Sequence, residues 1–182
     1  MSIFTNSAAR SKDEAAEYTR AVIGLLEDQE PLRVLRETPA ALRGLLAGMS
    51  DVETATPEFE GKWSIRHVMQ HLADSEVVWA WRLRMVLAHD SPVITGYDQD
   101  LWANRLGYGT VPIAQSLADF EHLRDANLRL IGRIPASDYA RVGVHSERGE
   151  ESVAHMMKMY GGHDLLHRRQ IERIRKAVEG RR

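Results

Sequence analysis

Two pairs of histidines define the chemistry open to this sequence: His67 and His71 in HVMQH, and His163 and His167 in HDLLH. The i, i+4 spacing, if helical, puts two imidazoles on one face about a turn apart, close enough to share one metal ion. The chain has 182 residues, eight of them histidine and none cysteine. Thiolate metal sites, iron–sulfur clusters, disulfides and a cysteine nucleophile are thereby excluded, so any metal or acid–base work must run on His, Asp and Glu.

The elements that must position these imidazoles are helices. Apolar residues recur with helical period and alternating strand-like runs are nearly absent, which predicts an all-α chain. One broken helical region is expected from about residue 13 to Ala47, interrupted near Pro31 and Pro39. A second helix runs from an N-cap at Ser64 to about Ala88, a third from about Val111 to Arg133, and a fourth from about Ser152 to Val178, stopped by Gly180. Residues 48–62 and 135–149 read as connectors. Residues 90–110 form a long loop containing YDQDLWANRLGY, too rich in large side chains for a plain linker. Four long amphipathic helices in one domain spanning residues 1–182 predict a four-helix bundle whose long loops allow crossovers.

At about 100° per residue, His163 and His167 fall within roughly 50° of the centre of the fourth helix's apolar stripe and point into the bundle. His71 flanks the stripe of the second helix at about 70°, and His67 lies roughly 110° off it. His155 and His122 fall on polar faces and are expected at the surface. His89 and His145 sit near loops, where periodicity says nothing. Two buried imidazoles without partners cost about 1–3 kcal/mol each. Hydrogen bonds within a core would satisfy them; so would a divalent ion taking His71, His163 and His167, with a fourth position left for water.

Lys plus Arg number 24 against 26 for Asp plus Glu, a net charge of −2, and the arginines are scattered along the chain. No general attraction to nucleic acid or to an anionic membrane follows from this balance. Hydrophobic content of 43% and charged content of 27% place the chain among globular proteins. The start, MSIFTNSAARSK, has no apolar segment of the secretory kind, and no apolar run is long enough to span a bilayer, so a cytoplasmic protein is expected.

The segments KWSIRHVMQHLADSE, from Lys62 to Glu76, and YGGHDLLHRRQI, from Tyr160 to Ile171, resemble the two signature segments of the DinB-like superfamily, in particular its YfiT-like branch of metal-dependent enzymes. The resemblance extends over most of the chain. It implies a four-helix bundle of up-up-down-down topology, often a homodimer, with a nickel or zinc ion held by three histidines. Matched position by position, the three are His71, His163 and His167, the same residues that the helical periodicity turns inward. His67 falls where members of the family vary. Asp74 matches a recurrent Asp of the first segment; it reads either as a helix-surface acid or as an acceptor that fixes an imidazole tautomer. Glu76 and Asp164 are weaker candidates for that role.

Tyr97, Asp98, Asp100 and Trp102 of the central loop either plug the open end of the bundle or, as the resemblance implies, roof the metal pocket and touch substrate. Trp63, Trp79 and Trp81 read as core or dimer packing. A tris-histidine ion with an open position lowers the pKa of water, polarises a carbonyl, or binds a thiol. Relatives in the superfamily include hydrolases, low-molecular-weight thiol S-transferases and a thiol-dependent isomerase. The leading expectation is an S-transferase joining a bacterial low-molecular-weight thiol to a small electrophile. A metal-dependent hydrolase and a non-catalytic, metal-clipped stress-response or ligand-binding bundle are the alternatives.

Overall fold

The computed structural model describes residues 12–181, so the first eleven residues, on which the expected absence of a secretory leader rests, lie outside the described residues. Helix α1 spans Lys12–Gly24 and α2 Pro31–Leu46, separated by the expected break. Glu30 caps α2 by accepting from the backbone N–H groups of Leu32 and Arg33, and Pro31 occupies the first turn, where its missing N–H costs nothing. Pro39 stays inside α2 without ending it. The connector that follows contains a short helix, α3, Asp51–Ala55, opened by a capping box between Ser50 and Glu53.

Helix α4, Ile65–Ala88, begins after Ser64 as expected, and α7, Val153–Glu179, begins after Ser152, whose hydroxyl accepts from the His155 N–H. Between them lie α5, Gln99–Arg105, and α6, Ile113–Ile131.

α2, α4, α6 and α7 form a ring in which each packs on two neighbours, and α1 lies along α7. α2 runs parallel to α7: Gly161 faces Pro31 at one end, and Arg175 donates to the Leu45 carbonyl at the other. α4 runs parallel to α6, with Gln70 opposite Ser116 and Arg84 opposite Asn127. The two pairs oppose each other, since Trp79 of α4 stacks on Tyr160 while His71, earlier in α4, meets His167, later in α7. Two helices therefore run up and two down, and along the chain the order is up, down, down, up. The four-helix bundle is as expected, but the order of its helices differs from the up-up-down-down that the resemblance implied: the parallel crossover falls between α4 and α6, where the 24-residue stretch 89–112 returns the chain to the far end of the bundle.

The helical reading missed a small sheet. β1, Val93–Ile94, pairs parallel with β2, Val142–His145, which pairs antiparallel with β3, Gly149–Ser152. These strands have two to four residues, too short for alternation to show, and β3 reads GEES with no apolar residue. The sheet joins the central loop to the connector before α7. Among the described residues no helix is long and apolar enough to cross a membrane.

Two large apolar clusters and a smaller one around Leu26, Val34 and Leu165 fill the bundle. Of the large ones, one holds Leu42, Ile65, Met69, Phe120 and Ile171; the other holds Leu35, Trp79, Leu83, Ile131 and Val153. Truncating a fully buried Phe or Trp in such a cluster costs about 3–5 kcal/mol. Between the clusters lies a polar layer. Arg124 of α6 donates to Glu76 of α4 at 2.8 Å, to Asp164 of α7 at 2.6 and 2.9 Å, and to the Leu35 carbonyl of α2 at 2.8 Å, so one side chain ties all four helices. The Asn127 amide also donates to Glu76, at 3.1 Å.

Candidate metal centre

α4 supplies His71 and α7 supplies His163 and His167, and their Nε2 atoms converge. His71 Nε2 and His167 Nε2 each stand 3.1 Å from His163 Nε2. Ligands about 2.0–2.1 Å from a tetrahedral ion stand roughly 3.3 Å from one another, so two of the three separations match nitrogens around one ion, and all three ligand atoms lie within 4.8 Å of one another. As plain hydrogen bonds the arrangement is poor, because a proton on His163 Nε2 serves only one neighbour. His167 Nδ1 pairs with Gln170 Oε1 at 2.8 Å, which orients that ring with Nε2 inward. His71 Nδ1 is buried without a hydrogen-bond partner.

Burial holds all three imidazoles neutral, the form that ligates. His71 and His163 are pushed well below the usual histidine range by burial first and then by neighbouring imidazoles. His167 is lowered to about 4 by burial, partly offset by Gln170. His71 and His167 are buried, whereas His163 is half-buried and faces a cleft.

The cleft encloses about 530 Å³, its open mouth included. His71 and His163 form its floor beside Ser75 and Met159. Tyr18, Tyr97 and Tyr160 line its sides together with Gln99, and Arg82 and Arg148 supply charge. Among the described residues no carboxylate lines it. Burial raises all three phenols, Tyr18 to about 12, so each is a protonated hydrogen-bond donor at neutral pH.

The other expected site residues fall as follows. Asp74 makes no hydrogen bond to an imidazole; its carboxylate accepts from Tyr108 at 2.6 Å and from Gln70 at 3.0 Å, tying the central loop to α4. Glu76 and Asp164 orient no imidazole either, because Arg124 takes both carboxylates in the dry layer below. Tyr97 lies in the cleft wall, bonded to Ser75 at 3.2 Å and packed on Trp102 with ring centroids 4.6 Å apart. Asp98 caps α5 by accepting from the Asp100 and Leu101 N–H groups. Trp102 thus reaches the cleft only through Tyr97.

His67 bonds Ser64 Oγ through Nδ1 at 2.9 Å and serves the start of α4. Trp63 packs against the His71 ring at 5.2 Å, Trp79 is fully buried and Trp81 is 64% exposed. His122 and His89 are exposed, whereas His155, expected at the surface, is half-buried near Glu151.

Arg82, Arg148, Tyr18 and Tyr160 escaped the sequence reading, which singled out only Tyr97 among the cleft's wall residues. Tyr18 and Tyr160 fit apolar stripes there, and Arg148 reaches the cleft only through the β2–β3 hairpin. A signal lay in Gly161 and Gly162, which precede His163. A Cβ on Gly162 would overlap the Val22 carbonyl group, 2.7 Å from its carbon. The glycine lets α1 lie against α7, which brings Tyr18 to the cleft.

Comparison with known proteins gives the same picture. The DinB superfamily model matches residues 35–171. A protein of Geobacillus thermodenitrificans named "Putative metal-dependent hydrolase" is 29% identical over 150 residues, covering 81% of this chain and 84% of that protein. "Putative metal-dependent hydrolase YfiT" of Bacillus subtilis is 27% identical over 146 residues, covering 78% and 82%. A Bacillus licheniformis protein with the same kind of name is 30% identical over 147 residues, covering 79% and 82%. The solved structure of Bacillus subtilis YfiT, described as having an unusual four-helix bundle topology, superposes with a TM-score of 0.74 at 23% identity, over 97% of this chain and 93% of that one. The chain belongs to the DinB superfamily.

Proposed function

We propose that this protein is a metal-dependent enzyme acting on a small molecule, with a divalent ion held by His71, His163 and His167 and the substrate in the adjoining cleft. The observation that carries this reading is the convergence of three buried, neutral imidazoles on one point at the floor of an open cleft. Such an ion supplies Lewis acidity, which acidifies a water or a thiol and polarises a carbonyl. Imidazole donors suit nickel and zinc alike. The chain's own residues do the rest. Gln170 orients His167, Trp63 packs against the His71 ring and is itself backed by Tyr108, and the tyrosines donate hydrogen bonds to whatever enters.

Among the reactions open to this site, transfer of a low-molecular-weight thiol to an electrophile is favoured by the absence of a carboxylate in the cleft. Asp74, Glu76, Asp164 and Glu151 are each engaged elsewhere, and among the described residues lining the cleft there is no carboxylate to serve as general base for water. A thiol needs less help, its proton leaving more readily than that of water. In the transfer, the thiol sulfur bonds to the electrophilic carbon, the leaving group departs with its electron pair, and the thiol proton passes to solvent or to the leaving group. Hydrolysis is the second reading, supported by the names of the relatives. Purified protein, loaded with nickel or zinc, is assayed with small thiols plus an alkylating electrophile, and separately with ester and amide substrates. Conjugation above the uncatalysed rate, lost in His163→Ala, is expected. Hydrolysis without conjugation would transfer the assignment to the second reading, and no turnover of either kind, with metal bound, would leave a non-catalytic bundle.

A further inference from the structure

We propose that Arg82, with Arg148 beside it, forms a subsite that binds an oxyanion group, a carboxylate or a phosphate, on the substrate of this cleft. The proposal rests on the cleft being the substrate site. It deepens that reading by naming a chemical class.

Arg82 is only 6% exposed, yet among the described residues no carboxylate pairs with it. Its guanidinium is held by one hydrogen bond, from Nη2 to the Thr95 carbonyl at 2.6 Å, and its Nε is buried without a partner. A buried cation without a counter-ion is costly, and the fold shows how it treats another such group: Arg124, 1% exposed, is met by two carboxylates. Arg148 has its own partner, donating to both oxygens of Glu151 at 2.5 and 3.0 Å. Among the described residues, two guanidiniums against one carboxylate leave this wall with one uncompensated positive charge, facing a cleft that none of their acids lines. The nearby His145 does not change the count: burial, Arg148 and Arg82 lower it to about 3, against a smaller opposing pull from Glu151, so it is neutral.

The missing partner is therefore an anion that arrives with the ligand. The planar guanidinium fork suits oxyanions, and the protonated phenols of Tyr97 and Tyr160 add neutral donors on the same wall. With the histidine cluster on the floor and Arg82 on the wall, the cleft holds a small molecule by its acidic end while its reactive group reaches the histidines.

The test is isothermal titration of succinate, inorganic phosphate and the neutral succinamide into chelator-treated protein, since a carboxylate would also bind a metal ion directly. Succinate or phosphate is expected to bind at least tenfold more tightly than succinamide, and whichever wins identifies the group. Arg82→Gln is expected to lose that preference, while its metal content after reloading, read by elemental analysis, equals that of the wild type. Equal binding of succinamide and succinate, with phosphate no tighter, or unchanged anion affinity in Arg82→Gln, would overturn the subsite. Should Arg82→Gln lose its helical circular dichroism, the wild-type comparison and Arg82→Lys, expected to retain the anion preference at reduced affinity, decide the matter. Failure of the metal reading would show separately, as protein that takes up no nickel or zinc while its anion binding is intact.

Discussion

Arg124 shows how much a single residue can carry in this bundle. Its guanidinium meets carboxylates on two helices and a backbone carbonyl on a third, in a layer from which water is excluded. Removing one partner of a buried charge network strands the others, at a cost of about 3–5 kcal/mol. Arg124→Met is therefore expected to unfold at markedly lower denaturant concentration, and the triple change that also replaces Glu76 and Asp164 with Gln and Asn to recover part of the loss. His145 gives a prediction in pH. Its folded form is held neutral down to about pH 3, whereas an unfolded imidazole titrates near 6.5. Between those values the unfolded chain binds more protons, so His145 contributes stability that is complete above about pH 6.5 and declines as the pH falls. Melting temperatures measured from about pH 7 down to about pH 4 should fall more steeply for the wild type than for His145→Gln; parallel slopes would show that the imidazole is not held neutral.

Among the elements, α1 and the hairpin turn a bundle into a site. α1 seats on α7 through Gly162, where an added Cβ would overlap the Val22 carbonyl, and backbone cannot yield as a flexible side chain can. Gly162→Ala is expected to push α1 away and to cost about 1–3 kcal/mol, as overpacking does. The proper readout is denaturant stability together with protease sensitivity in residues 12–30, where α1 should become the first segment cut. If α1 stays protected, the close approach is not what holds it. The β2–β3 hairpin is as consequential for function, since it carries Arg148, whose pairing with Glu151 keeps it against the cleft.

At the scale of the whole molecule, the proposed metal site joins α4 to α7, so an ion bound there would favour the folded state alone. Free ion at a hundredfold excess over Kd adds about 2.7 kcal/mol, which for a chain of this size raises the melting temperature by roughly 5–10 °C. Chelation is expected to reverse that gain, and His71→Ala and His163→Ala to abolish both the gain and stoichiometric metal in elemental analysis. Wild-type protein that melts at one temperature with and without nickel or zinc would argue against a site spanning the two helices. Trp81 and Val77, exposed one turn apart on α4, are where a second copy would pack in the homodimer that the resemblance implies. Sedimentation of the wild type against Trp81→Glu tests that pairing, a monomer in both cases counting against it.

Periodicity and local signals were enough to find the four bundle helices, the Ser64 and Gly180 caps and the three inward histidines, because each depends on residues within a few turns of one another. A stripe at 3.6 residues, a Ser before it and two imidazoles four apart are local facts, and helical geometry turns them into faces. The partners of Asp74, Glu76 and Asp164 are not local. Each carboxylate could have turned to an imidazole, and each went where a donor on another helix or loop waited: Tyr108 for Asp74, Arg124 for the other two. The same holds for the sheet, whose strands are too short to read alone, and for the charged wall of the cleft, assembled from α4 and a hairpin more than sixty residues later in the chain. Sequence by itself determined which atoms could hold a metal, since ligand chemistry and spacing along one helix are written in order. Only tertiary structure decided what stands opposite the metal, because buried charge is settled by whichever group the folded chain brings near.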